Sequence, residues 1–271
     1  MPKAFLLFVF LIFVSNVYSQ QVITLKEVRV FPENYAIDII AKMKIATRKN
    51  LSKDYSDFQL TVSNIKDSKD TVTNIKQNGK FQLRALQNRN YKFADLEGKR
   101  FYDDAFFAKY EYTRLFKYWS FYGTLNRLFE LDLHQFFKNF DDYKYQVSIK
   151  NNCYLVSFTS DKYSGEFKVD TLTFNLLNLN YSLIKPQRES GKGTKVGIPT
   201  YITEKLNTLN SVNEIDIIFI QDSFGKISLN SLESRVLWDE FEVFKYEENK
   251  ANKLKYTDKF RIETFIQMKK I

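Results

Sequence analysis

Residues 143–150 read Tyr143-Lys144-Tyr145-Gln146-Val147-Ser148-Ile149-Lys150, and this octapeptide decides the fold class. Tyr143, Tyr145, Val147 and Ile149 alternate with Lys144, Gln146, Ser148 and Lys150. A period of two sends the first set to one side of an extended chain and the second set to the other, the pattern of a strand buried on one face. Asn151-Asn152 then supplies a turn, because Asn tolerates left-handed backbone. Tyr154, Val156 and Phe158 continue as the return strand.

The same alternation recurs along the chain. Leu177, Leu179, Tyr181 and Leu183 follow it, as do Phe58, Leu60 and Val62, and Phe81, Leu83 and Ala85. Ile215, Ile217 and Phe219 belong to a strand with apolar residues on both faces near its end, which predicts a central position in the sheet. The 271 residues include only 8 Gly and 4 Pro, so turns fall to Asn, Asp and Ser. Asn78-Gly79 is the strongest local hairpin signal. Asp67-Ser68-Lys69-Asp70 and Phe224-Gly225-Lys226 read as further turns, and Pro186 to Pro199, with three of the glycines, reads as a loop.

Two segments read as helices. After Pro32, residues Ala36, Ile37, Ile40, Ala41 and Lys44 share a face, and Asn50 ends the run. Between Phe116 and Phe140, residues Leu125, Leu128, Phe129, Leu133, Phe136, Phe137 and Phe140 follow helical spacing, with Asp132 as a cap for the last piece, Leu133 to Asn139. Strands, a helical block, then strands again predict one α+β domain, an antiparallel sheet with helices packed on one face.

At the N-terminus Lys3 precedes an unbroken apolar run, Ala4 to Val14, and a polar stretch ending on Ser19. Those are the parts of a cleavable secretory signal. A membrane anchor is the rival reading, but eleven residues rise about 16 Å as a helix, roughly half the hydrocarbon core. The expectation is a signal over residues 1–19 and a single domain over 20–271, exported to the periplasm, with extracellular or peripheral-membrane placement as alternatives. Beyond residue 19 the longest apolar run, Ile217 to Ile220, is far too short to span a bilayer.

Composition excludes several function classes. One Cys and one His rule out an intramolecular disulfide and a zinc site built from His and Cys alone. Cys153 reads as a small buried apolar side chain rather than a nucleophile. Glu189-Ser190-Gly191-Lys192-Gly193-Thr194 fails as a phosphate-binding loop, since Pro186 stands where the first glycine belongs and Gly193 where a hydroxyl belongs. His134 is the sole candidate for a histidine-based triad, and no Gly-x-Ser-x-Gly elbow accompanies it. The pairs Asp103-Asp104 and Asp141-Asp142 suit solvated turns better than a glycosidase cleft. The net charge of +9 is dispersed among acids, except in a tail bearing Lys250, Lys253, Lys255, Lys259, Lys269 and Lys270. It fits solubility or weak attraction to an anionic bilayer face, not nucleic-acid binding. No enzyme motif, metal site or cofactor is expected.

The aromatic share of 17% is the more informative anomaly. Phe and Tyr build sheet cores, and they also line pockets for apolar ligands such as acyl chains. The residues expected to line such a pocket are Phe129, Phe136, Phe137, Tyr143, Tyr145, Tyr154 and Phe158.

Leu25-Lys26-Glu27-Val28-Arg29-Val30, then Pro32-Glu33-Asn34-Tyr35-Ala36 and Ile39-Ile40, resembles a stretch of uncharacterised exported Bacteroidetes proteins. Lys49-Asn50, Tyr55-Ser56-Asp57-Phe58, Tyr143-Lys144-Tyr145 and Tyr163-Ser164-Gly165-Glu166-Phe167-Lys168-Val169-Asp170 extend the likeness in patches to Leu183. Those proteins often carry a carboxypeptidase-like regulatory domain, which is lacking here. Their body resembles the half-barrel of periplasmic lipoprotein carriers. The resemblance implies a curved antiparallel sheet with helices on its concave face and an apolar cavity for acyl chains, and it carries over no catalytic residue. The expected function is a non-enzymatic envelope protein that binds a lipid or other apolar ligand. The alternative is an assembly module of the envelope, with a filled core, no ligand and a protein partner.

Overall fold

The computed structural model describes residues 33–85, 91–110, 124–125, 128, 143–196, 201–247 and 253–271. The signal segment, most of the aromatic helical block and Asp141-Asp142 lie outside them.

The first element is helix α1 (Glu33–Asn50). Ala36, Ile39, Ile40, Met43 and Thr47 are its buried positions, spaced three or four residues apart as one helix face requires. The buried stripe is therefore rotated from the expected one. Ile37 is 52% exposed, and Ala41 and Lys44 also face solvent. The helix does end at Asn50, where the Leu51 amide still donates to the Thr47 carbonyl.

The strands β1 (Ser56–Lys66), β2 (Asp70–Leu83) and β3 (Tyr91–Tyr102) follow, then the short helix α2 (Asp104–Tyr110). The rest is strand: β4 (Lys144–Lys150), β5 (Cys153–Thr159), β6 (Tyr163–Asp170), β7 (Leu176–Leu183), β8 (Gln187–Val196), β9 (Tyr201–Gln221), β10 (Ile227–Glu247) and β11 (Lys253–Lys270). All eleven join one sheet in the order β3-β2-β1-β11-β10-β9-β7-β6-β5-β4, with β8 beside the first half of β9. Every named pairing is antiparallel. The protein is thus mostly antiparallel sheet with few helices. The sheet is open and uncurled, with β3, β4 and the off-path strand β8 at its edges, in place of the half-barrel that the resemblance implies.

Several turns fall where the sequence places them. Asp67 and Ser68 (φ 50° and 59°) join β1 to β2, Asn151 and Asn152 (φ 50° and 57°) join β4 to β5, and Gly225 (φ 78°) sits between β9 and β10. Two expectations are corrected. Asn78-Gly79 makes no turn; it lies inside β2, opposite Gln59 and Phe58. Gly79 is needed there because β3 bulges against it: a Cβ would lie 2.8 Å from Leu96 Cδ2 and 3.0 Å from the Ala94 and Asp95 carbonyl oxygens. Residues 187–196, within the expected loop, form β8. Pairing with β9 uses main-chain groups, which do not require apolar alternation, and the polar residues suit an edge strand.

The register places the core on one face. From β1 to β11 to β10 to β9, Leu60, Met268, Leu232 and Ile217 lie in line, as do Val62, Ile266, Ser234 and Ile215. Helix α1 packs on this part of the face, in a cluster reaching Phe167 and Leu179 on the far strands. A second cluster gathers Phe106 and Phe107 of α2 with Val72, Trp238, Phe241, Phe260 and Ile262. The expected central strand containing Ile215, Ile217 and Phe219 is β9, where all three are buried.

Candidate functional site

Four of the seven expected pocket aromatics lie among the described residues. Tyr143 immediately precedes β4, Tyr145 lies on β4, and Tyr154 and Phe158 lie on β5. Tyr145 and Phe158 are cross-strand partners on the buried face. The Tyr143 ring meets Phe158 edge-on at 5.4 Å, and Phe158 leans on Phe167 at 5.1 Å. Tyr154 lies nearer the turn, stacked on Phe174 at 5.9 Å and edge-on to Tyr35 of α1 at 6.0 Å. These separations are ring-to-ring packing distances. Phe129, Phe136, Phe137 and His134 lie outside the described residues, but Leu125 and Leu128 of the same block are fully buried in the α1 cluster.

The Tyr35 and Tyr154 hydroxyls share a hydrogen bond at 3.2 Å, which Tyr154 loses as a donor when it ionises. That hydrogen bond, with burial second, pushes the Tyr154 phenol up to about 12. A group held neutral in this way fixes position; it does not transfer protons near neutral pH.

Between the two apolar clusters runs a polar seam. Thr73, Asn64, Thr264, Val236 and Asn213 occupy one row across β2, β1, β11, β10 and β9. All but Val236 are polar, and all are buried on the core face, as is Ser234 beside Val236. The Thr264 hydroxyl donates to Asn64 Oδ1 at 2.8 Å. On the β9–β10 side, Asn213 Oδ1, Ser234 Oγ and Asn210 Oδ1 are buried with no hydrogen-bond partner among the described residues. An unpaired buried polar atom costs about 1–3 kcal/mol. Three of them weigh heavily against a net stability of about 5–15 kcal/mol.

Sequence reading missed this seam, although its signal is present. Asn64, Thr264 and Asn213 stand at positions where the alternation calls for an apolar residue, two after Val62 and Ile262 or two before Ile266 and Ile215. Only the register shows that the interruptions coincide.

The other candidates resolve as structure. Glu189 to Thr194 lies within β8, so it forms no phosphate loop. Asp103 caps α2, its carboxylate accepting from the Phe106 amide at 3.1 Å. Cys153 is buried at the start of β5. Among the described residues no group of three His, Cys, Asp or Glu side chains is placed to hold a metal ion. None of their helices is long and apolar enough to cross a membrane. Searches against protein-family models, curated proteins and solved structures give no match to the chain.

Proposed function

We propose that the chain is a non-enzymatic exported protein of the cell envelope, acting in the periplasm, that holds a lipid or another apolar ligand on the inner face of its sheet. The polar seam carries this reading. Asn213 Oδ1, Ser234 Oγ and Asn210 Oδ1 need hydrogen-bond donors inside an otherwise apolar face. A ligand with an apolar body and a donor-bearing polar group, such as a hydroxyl or amide, satisfies both demands. Mass spectrometry of solvent extracts of the purified protein, with uptake of a fluorescent fatty-acid probe, tests it. A co-purifying amphiphile, lost in Asn213→Leu, supports the reading. No extracted ligand and no probe uptake overturn it.

A second reading, an envelope assembly module with a filled core, is favoured by the ring packing of Tyr143, Tyr145, Tyr154 and Phe158. It predicts that a protein partner binds while the interior takes up no probe.

A further inference from the structure

One end of the sheet gathers the β4–β5, β6–β7 and β9–β10 turns with the C-terminus of α1, and hydrogen bonds lock them together. Asn175 is the hub: its Nδ2 donates to Gln221 Oε1 and to the Gly225 carbonyl, both at 2.8 Å. Its Oδ1 accepts from Asn50 Nδ2 of α1, also at 2.8 Å. The Thr171 amide and hydroxyl both donate to the Asn152 carbonyl.

Each of the two larger turns also satisfies its own main chain. Asp170 Oδ1 accepts from the Leu172 and Thr173 amides and from the Thr173 hydroxyl. Asp222 Oδ1 accepts from the Phe224 and Lys226 amides. These rigid turns hold large apolar side chains out from the protein: Leu172 is 87% exposed and Phe224 90% exposed. A turn favours small polar residues, and neither side chain contributes to the core, so folding alone explains neither of them.

Charge at this end says what they meet. Arg48, Lys49, Lys53, Lys150 and Lys226 are all exposed here. Acids at this end include Asp170 and Asp222, whose carboxylates accept from turn amides, Asp54, which accepts from the Ser52 hydroxyl, and Asp57 at the start of β1. We propose that this end of the protein docks on an anionic bilayer, with Leu172 and Phe224 inserted as paired apolar tips and the surrounding cations on the lipid headgroups. Apolar side chains entering the acyl boundary inside a ring of Lys and Arg are the ingredients of peripheral membrane binding. The proposal uses none of the seam residues and stands or falls separately from ligand binding.

Vesicle co-sedimentation of the protein purified from an exporting host tests it. The expected result is binding to phosphatidylcholine vesicles containing phosphatidylglycerol, weak binding to phosphatidylcholine alone, and release by high salt, which screens the cations. Leu172→Ser combined with Phe224→Ser lowers the partition coefficient by about ten-fold or more, and an unchanged denaturation midpoint shows that the fold is kept. In a second variant, Phe224→Trp, tryptophan emission shifts to the blue on adding anionic vesicles, over and above any shift of the parent protein. Failure to bind anionic vesicles, binding that the double substitution leaves unchanged, or a Trp at 224 whose emission stays that of water overturns the proposal. Binding to a protein partner through these tips without any vesicle binding also overturns it.

Discussion

The Tyr35 and Tyr154 hydroxyls meet at 3.2 Å across 119 residues of chain, tying the first turns of α1 to β5. This contact makes the seating of the helix sensitive to alkali. The Tyr154 phenol is raised from 10.0 to about 12, so the folded state prefers the protonated form. Its stabilisation is complete below pH 10, the unfolded value, and is lost as pH rises toward about 12. Phenolate absorbance should show one tyrosine titrating late, and Tyr35→Phe should bring that titration down toward 10.

The seam gives a stability test with a clear sign. Asn213→Leu removes an unpaired buried carbonyl oxygen and should raise the unfolding free energy of ligand-free protein by about 1–3 kcal/mol, measured by urea denaturation. The same substitution should weaken retention of a co-purifying amphiphile. A loss of stability instead would mean that Asn213 has a donor in the ligand-free protein.

Gly165 on β6 lies where Tyr181 and Phe158 converge. A Cβ there would sit 2.1 Å from the Asn180 carbonyl oxygen, 2.6 Å from Phe158 Cζ and 2.8 Å from Tyr181 Cα. Two of these three atoms are main chain and cannot rotate away. Gly165→Ala should therefore cost about 3 kcal/mol, at the upper end for overpacking, read as a lowered denaturation midpoint.

Asp170 links acid stability to the β6–β7 turn. Burial pushes its carboxyl up, but hydrogen bonds from Thr173 and Leu172 outweigh that, and the net shift is downward from 3.8. A depressed carboxyl stabilises the fold above its unfolded value, and the contribution is lost as pH falls through the folded one. Protection of the Leu172 and Thr173 amides, taken relative to their intrinsic exchange rates, should fall as pH drops below the ordinary carboxylate range and, at neutral pH, in Asp170→Ala.

Periodicity showed most of the strands in advance because a half-buried antiparallel strand writes its orientation into every second residue. Phe58, Leu60 and Val62 are all buried, as expected. Helix α1 was legible as a helix but not in its rotation. Ile37, Ile39, Ile40 and Ile45 surround the axis, so apolar spacing alone allows more than one stripe, and packing selects Ile39 and Met43. Asn78-Gly79 carried a true signal for glycine with a different cause, a bulge in the neighbouring strand. β8 was hidden because its pairing is main chain to main chain. The seam was hidden for a deeper reason: it is a property of register between strands up to 200 residues apart, as Thr264 and Asn64 are.

The pairing of β1 with β11, which sets Phe58 opposite Lys270, has a consequence in time. These strands stand third and fourth in the sheet order, between β2 and β10, so they join β1, β2 and β3 to the other eight strands. The three-stranded part cannot pair with the rest until residue 270 is present beside residue 58. Sheets assembled through such distant contacts fold slowly, and partial chains expose long unpaired strand edges that invite aggregation. A chaperone that holds the growing or translocating chain open until its final strand arrives would protect this protein at its most vulnerable stage.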